Sequence, residues 1–150
     1  MVRDPHCQLC NLSQNSNPIC IWGTPPRKTP KNRIMVVVDT PGGLEGRVRK
    51  YLGDLLGLMG VRDDCYLTSV SKCYGEAKNK HFKACQSYLD QEIEDYNPNV
   101  IISMGAGAYR AVVGPGKVTE NRGKALEKDG RTVLVTLSPA AALVRVQNRG

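Results

Sequence analysis

The sequence predicts an α/β fold: a three-layer α/β/α domain around a small, mostly parallel sheet of four strands. Four short runs rich in Val, Ile and Leu are mostly continuous, which is typical of parallel strands buried on both faces. The stretches between them carry apolar residues at helical spacing, so strands and helices alternate along the chain. With 150 residues, the chain is long enough for one domain with a sizeable core.

The elements follow an irregular leader, residues 1–32, in which prolines among polar residues interrupt regular structure. The predicted strands are 34–38, 66–70, 100–104 and 132–136. The predicted helices are 48–59, 82–96 and a short one that ends at 113. The polar stretch 114–131 is predicted as a loop or hairpin region. We therefore expect a single domain over residues 1–150.

The charge of the chain favours an anionic partner. Lys and Arg number 21 against 14 acidic residues, a formal net charge of +7, which suits a polyanion such as DNA, although surface charge also serves solubility alone. One Trp, one Phe and six Tyr argue against a broad stacking platform for single strands. No apolar run is long enough to span a membrane, and the first residues do not form a signal peptide. The expected compartment is a reducing cytoplasm.

Four of the six cysteines form two distant pairs, the first of them a C-x-x-C motif. Two chain segments that each supply two thiolates are what a tetrahedral sulfur site needs, and a reducing compartment favours metal ligation over disulfides. The predicted ligands are Cys7, Cys10, Cys73 and Cys85. Cys20 and Cys65 are expected to be small apolar side chains in or near the core, with Cys20 a weaker candidate as a replacement ligand.

Three of the predicted strands carry candidate site residues at or just beyond their carboxyl ends. In parallel sheets, ligands bind off the carboxyl ends of the strands. Asp39 follows the first strand and could act as a carboxylate there, although an Asx-type turn is an equally ordinary role for Asp. The candidate site residues at these ends are Asp39, Thr40, Pro41, Gly42, Ser69 and Ser138.

The order and spacing of these motifs carry a family resemblance. They are the early C-x-x-C, Val38-Asp39-Thr40-Pro41-Gly42, the run from Tyr66 to Cys73, the run from Met104 to Ala108, and the run from Ser138 to Leu143. Together they resemble the uracil-DNA glycosylase superfamily, most closely its iron–sulfur family 4 enzymes. The resemblance implies DNA as partner, excision of uracil or another deaminated base by N-glycosidic hydrolysis, and a [4Fe–4S] cluster on the four cysteines. A Zn site with the same thiolates is the alternative.

Three pocket positions depart from the pattern of that family. The resemblance makes Asp39 and Ser138 the catalytic residues. Asp39 keeps the acid of the family's glutamate, one methylene shorter, whereas Ser138 replaces a histidine. Ser69 replaces the amide side chain that pairs with uracil, and the stacking Phe is absent, with Tyr51 a weak stand-in. The implied base pocket is Thr40, Pro41, Gly42 and Ser69. These losses favour reduced or absent excision, so the alternative is a catalytically silent DNA-binding or structural subunit of a viral replication complex or particle.

Basic residues between Cys73 and Cys85 and in a later loop are the predicted DNA contacts. They are Lys78, Lys80, His81, Lys83, Arg122 and Lys124. Arg47, Arg49 and Lys50 form a further candidate. Phosphate contact is the functional interpretation and an ordinary solvated surface is the alternative. The resemblance suggests a bacterial or phage-infected cell, with replication or virion proteins as possible partners.

Overall fold

The computed structural model describes residues 23–27, 29–73 and 79–148, without the side chains of residue 79 and residues 144–148. It confirms the α/β class, but the sheet has five strands, in the order β2-β1-β3-β5-β4. The strands are β1 (Ile34–Val38), β2 (Cys65–Ser69), β3 (Val100–Met104), β4 (Ala125–Lys128) and β5 (Arg131–Thr136). The four predicted strands match β1, β2, β3 and β5 to within one residue at each end.

The fifth strand corrects the expected strand count. β4 pairs antiparallel with β5, and Asp129 and Gly130 between them both have positive φ, 53° and 77°. An Asp-Gly turn of this kind favours a tight hairpin. Only Leu126 of the four β4 residues is partly buried, so the strand has no apolar run. Hydrophobic periodicity therefore assigns this segment to the polar loop or hairpin region 114–131.

Helices cover both faces of the sheet. They are α1 (Gly46–Leu58), α2 (Asn79–Tyr96), α3 (Ala106–Val112), α4 (Val118–Asn121) and α5 (Pro139–Asn148). Alternate residues of β1 enter two separate cores. Val36 and Val38 pack with Leu52 of α1, whereas Met35 and Val37 pack with residues of α2 and α3. Because α5 packs against α1, α1 and α5 form one layer, and α2 and α3 the other. No helix in the described part of the chain is long and apolar enough to cross a membrane.

The parallel strands end at one level. Val38 lies opposite Ser69 on one side and opposite Met104 on the other, and Met104 lies opposite Thr136. The residues that follow these four strand ends therefore share one edge of the sheet, which we call the carboxyl edge. All three predicted strand-end motifs belong to this edge.

Candidate active site

Asp39 is the acidic residue of the carboxyl edge. Its carboxylate turns toward α3, where Oδ1 accepts a hydrogen bond of 2.7 Å from the backbone N–H of Ala108. Two glycines make room for it, because a Cβ at Gly105 or Gly107 would lie 2.7 Å or 3.0 Å from that oxygen. Gly105 also has φ +112°, a conformation that other residues rarely adopt. The carboxylate thus bonds to a helix 69 residues away, and not within its own turn.

The environment of Asp39 makes its carboxyl group harder to ionise. Burial raises its pKa above the ordinary value of 3.8, and backbone hydrogen bonds from Ala108 and Gly107 offset this in part. Desolvation disfavours the charged form, whereas N–H donors favour it. Buried carboxylates with raised pKa values are common at catalytic sites.

The predicted base-pocket residues form two short backbone structures. Ser69 is buried, and its hydroxyl donates a hydrogen bond of 2.6 Å to the carbonyl of Ser71. Thr40 precedes a single 3₁₀ turn, in which Pro41 is buried and Gly42 is exposed. The turn therefore presents backbone groups at the carboxyl edge. The proton of the Ser69 hydroxyl is already donated to the Ser71 carbonyl.

Ser138 begins helix α5. Its Oγ accepts a hydrogen bond of 3.2 Å from the N–H of Ala141, and Pro139 occupies the first helical position. This is an N-cap arrangement, which satisfies an N–H that the helix leaves without a partner. A hydroxyl that accepts through a lone pair retains its own proton for donation. Ser138 can therefore cap α5 and still act as a donor.

The two predicted catalytic residues approach the carboxyl edge from opposite layers. Asp39 faces α3, whereas Ser138 caps α5 in the layer of α1. The described hydrogen bonds of the Asp39 carboxylate lead to the α3 backbone, and none joins it to Ser69 or Ser138. The structure brings these residues to one edge without linking their side chains to one another.

The structure describes two of the four predicted ligands. Cys73 and Cys85 are each 2% exposed, and both contact other residues; Cys7 and Cys10 lie outside the described residues. Within the described ranges, no group of three or more His, Cys, Asp or Glu side chains could hold a metal. Two buried thiols, near the end of β2 and on α2, are the donor type that a sulfur-ligated centre needs.

The remaining cysteines are Cys65 and Cys20. Cys65 is buried, and its thiol donates a hydrogen bond of 3.1 Å to the carbonyl of Val61. Burial, with a smaller contribution from Asp64, raises its pKa to about 11, so the thiol stays protonated near neutral pH. This agrees with the expected role as a small core side chain. Cys20 lies outside the described residues.

A buried ion pair joins two residues that lie just outside the Cys73–Cys85 segment, and it was not identified from the sequence. Lys72 and Glu92 are both 0% exposed, and the Lys72 ammonium contacts Glu92 Oε1. The same carboxylate accepts hydrogen bonds from Tyr66 Oη at 2.6 Å, from Thr68 Oγ1 at 2.8 Å and from the N–H of Gly23 at 2.9 Å. The sequence offered one signal for this pair: Glu92, seven positions after Cys85, is an acidic residue on the buried face of a helix.

This carboxylate joins three chain segments. Glu92 belongs to α2, Lys72 follows β2, and Gly23 lies in the leader. Next to Gly23, Thr24 forms an antiparallel bridge with Leu67, through hydrogen bonds of 2.7 Å and 2.9 Å. These hydrogen bonds hold Gly23 and Thr24 of the leader against the outer edge of β2, in the same region as the Lys72–Cys73 segment.

The predicted DNA contacts fall into two groups. Lys80 and Lys83 are exposed, and Lys83 lines a cavity of about 500 Å³ between α2 and α3. His81 is only 4% exposed and contacts other residues. A side chain so enclosed has little surface for a phosphate, so the expectation that His81 faces DNA is not supported. Lys78 lies outside the described residues.

The second group lies at the carboxyl edge. Arg122 and Lys124 are exposed, and the loop that carries them is fixed to β5. The N–H of Gly123 donates to the carbonyl of Val135 at 2.8 Å, and the N–H of Val135 donates to the carbonyl of Lys124 at 3.1 Å. Both cations therefore flank the end of β5, close in the fold to the Ser138 motif.

The mostly parallel α/β sheet, with a partly buried carboxylate and exposed cations at its carboxyl edge, belongs to the class of α/β proteins that bind their ligands at that edge. The chain belongs to the uracil-DNA glycosylase superfamily, because residues 12–149 match the family described as "Uracil DNA glycosylase superfamily". The resemblance found in the sequence is thereby confirmed at the level of the superfamily.

Individual relatives agree with this membership. The chain is 32% identical to a type-4 uracil-DNA glycosylase of Thermotoga maritima, an alignment that covers 91% of this chain and 78% of the relative. It is 29% identical to a type-4 uracil-DNA glycosylase of Sulfurisphaera tokodaii, over 91% and 71% of the two chains. It is also 31% identical to a DNA polymerase of Bacillus phage SP01, over 75% of this chain and 14% of the polymerase.

Proposed function

We propose that this protein excises uracil or another deaminated base from DNA by hydrolysis of the N-glycosidic bond. The observation that carries the proposal is the partly buried carboxylate of Asp39, at the carboxyl edge of the sheet of a chain that belongs to this superfamily. The relatives named as type-4 uracil-DNA glycosylases support the same chemistry.

The residues of the carboxyl edge suggest how the reaction proceeds. The target base leaves the stack, at a cost of a few kcal/mol, and enters the pocket formed by Ser69 and the turn at Thr40-Pro41-Gly42. The Asp39 carboxylate stabilises the developing sugar cation or positions the attacking water. The Ser138 hydroxyl donates a hydrogen bond to the oxygen of the leaving base, which carries negative charge. Lys80, Lys83, Arg122 and Lys124, together with Lys78, contact phosphates.

We propose further that Cys7, Cys10, Cys73 and Cys85 hold a [4Fe–4S] cluster, with zinc as the alternative. Such a centre would supply structure by joining the leader to the Cys73 and Cys85 segments. The buried thiols of Cys73 and Cys85 support this. The hydrogen bond from Gly23 to Glu92 also supports it, because it holds part of the leader against α2, the helix that carries Cys85. The cluster implies a reducing cytoplasm, in a bacterial or phage-infected cell.

Replacing Cys73 with Ala is expected to abolish metal binding. The purified protein should be brown with broad visible absorbance, and the variant should be colourless because one of four thiolates is missing. Iron and sulfide analysis measures the loss, and the Cys65→Ala variant serves as a control that retains colour. A colourless wild-type protein with stoichiometric zinc would contradict the cluster.

The proposed activity is tested by incubating the protein with an oligonucleotide that contains one uracil. We expect abasic sites, detected as strand breaks after alkaline treatment, and none in the matched thymine oligonucleotide. A protein that binds the uracil oligonucleotide in a salt-sensitive manner but produces no breaks would refute the glycosylase proposal.

That outcome would support a second candidate, a catalytically silent DNA-binding subunit of a replication complex or virion. Two observations favour it. The Ser69 hydroxyl donates to the Ser71 carbonyl, which leaves it without a proton to offer a base edge. A phage DNA polymerase is also among the relatives, which suggests a module that works beside replication proteins.

A further inference from the structure

Three arginines from separate parts of the chain line one small cavity. Arg27 follows the bridge that ties the leader to β2, Arg49 lies in the first turn of α1, and Arg62 lies in the short turn before β2. The cavity is about 80 Å³ and is completed by Thr24, Pro25, Pro26 and neighbouring residues. A cavity of this size suits a group such as phosphate, because a water molecule takes up about 30 Å³ in the liquid.

Arg62 packs against a glycine of α1. Its guanidinium lies over Gly53, where a Cβ would be 3.5 Å from Nη2. Glycine inside a helix costs about 1 kcal/mol relative to alanine. Gly53 lies one helical turn after Arg49, so the Arg62 guanidinium rests on the surface of α1 close to Arg49. All three arginines are exposed at the surface, and all three line this one cavity.

The charges of these arginines are not neutralised within the described residues. Asp63 also lines the cavity, but no ion pair or hydrogen bond joins it, or any other described side chain, to the three guanidinium groups. Partial burial lowers the pKa of Arg49, and repulsion by Arg62 and Arg27 lowers it further. Like charges held together without a counter-charge favour the binding of an anion.

We propose that Arg27, Arg49 and Arg62 form a phosphate-binding site for the DNA backbone, distinct from the basic groups near Cys85 and β5. Guanidinium groups form paired hydrogen bonds with phosphate oxygens. α1 begins shortly after the turn at Pro41–Leu44, and Arg49 lies in its first turn. The site holds the strand on the α1 side, while Arg122 and Lys124 hold it beside β5. This inference rests on the proposed association with DNA.

The test measures binding of a fluorescent oligothymidylate, which contains no uracil, by anisotropy over a series of salt concentrations. The double variant Arg49→Gln/Arg62→Gln should bind roughly tenfold more weakly at low salt, because two charged hydrogen-bonding groups are lost. The slope of log K against log salt should decrease by about 0.7 for each lost phosphate contact. Urea denaturation of the same variants verifies that they are folded.

The matched control is Lys128→Gln, which removes an exposed cation at the far edge of the sheet and should leave both affinity and slope unchanged. Unchanged binding by the double variant, or an equal loss in Lys128→Gln, would overturn the inference. The uracil assay is read separately. If the wild-type protein excises uracil but the double variant binds DNA as tightly as the wild type, only the arginine site is refuted. If the double variant binds DNA more weakly but the wild-type protein excises no uracil, only the glycosylase proposal is refuted.

Discussion

Replacing Glu92 with Gln is expected to lower the free energy of unfolding by about 3–5 kcal/mol. The substitution keeps the shape of the side chain but leaves the Lys72 ammonium, which is 0% exposed, without a counter-charge. An ammonium in this position cannot reach water unless the structure opens. Urea denaturation, followed by circular dichroism, measures the change.

Glu94→Gln is the matched control, because Glu94 lies on the same helix and is exposed; it should change stability by less than about 0.5 kcal/mol. The double variant Lys72→Met/Glu92→Gln should be more stable than the sum of the two single changes, by on the order of 1–3 kcal/mol. A Glu92→Gln variant as stable as the wild type would show that the pair contributes nothing to folding.

The second large effect concerns Asp39, for which Asp39→Asn is expected to lower the rate of uracil excision by on the order of 10²-fold or more. The amide oxygen can still accept the hydrogen bond from Ala108, but it carries no charge to stabilise the sugar cation or to activate water. Single-turnover kinetics with the uracil oligonucleotide measures the chemical step. The Asp54→Asn variant, at an exposed position on α1, should react like the wild type.

The same substitution should leave stability at neutral pH unchanged or higher. Because burial raises the pKa of Asp39 in the folded state, the folded protein binds this proton more tightly than the unfolded chain. The contribution of Asp39 to stability therefore falls as pH rises from the ordinary pKa of 3.8 through the raised value. In Asp39→Asn that fall should be absent. A variant that is both inactive and markedly unstable at pH 7 would indicate a structural role alone.

The repeating elements of the fold could be predicted from the sequence. β1 is a continuous run of apolar residues and β3 is one apart from Ser103, and buried parallel strands have that composition because both of their faces meet helices. β4 could not be found this way, since its pairing with β5 depends on backbone hydrogen bonds and on the Asp129-Gly130 turn. Its side chains are mostly exposed and carry little pattern.

The contacts of the site residues could not be predicted from the sequence as well as the strands could. The sequence placed Asp39 at a strand end, but it gave no sign that its carboxylate bonds to α3 or that Gly105 makes room for it. It also grouped His81 with the exposed lysines, because a basic stretch does not reveal which member turns inward. Which residues of such a stretch face the core is set by contacts from distant parts of the chain.

The sequence by itself determined the class of fold, the superfamily and the residues at the strand ends, because those depend on local periodicity and on the order of motifs. Only the tertiary structure decided which charges are buried together and which are left to meet a ligand. The pairing of Lys72 with Glu92 and the grouping of Arg27, Arg49 and Arg62 both join residues far apart in the chain. Electrostatic energy depends on the distance between charges in space and on the exclusion of water, and neither can be read from the order of residues in the chain.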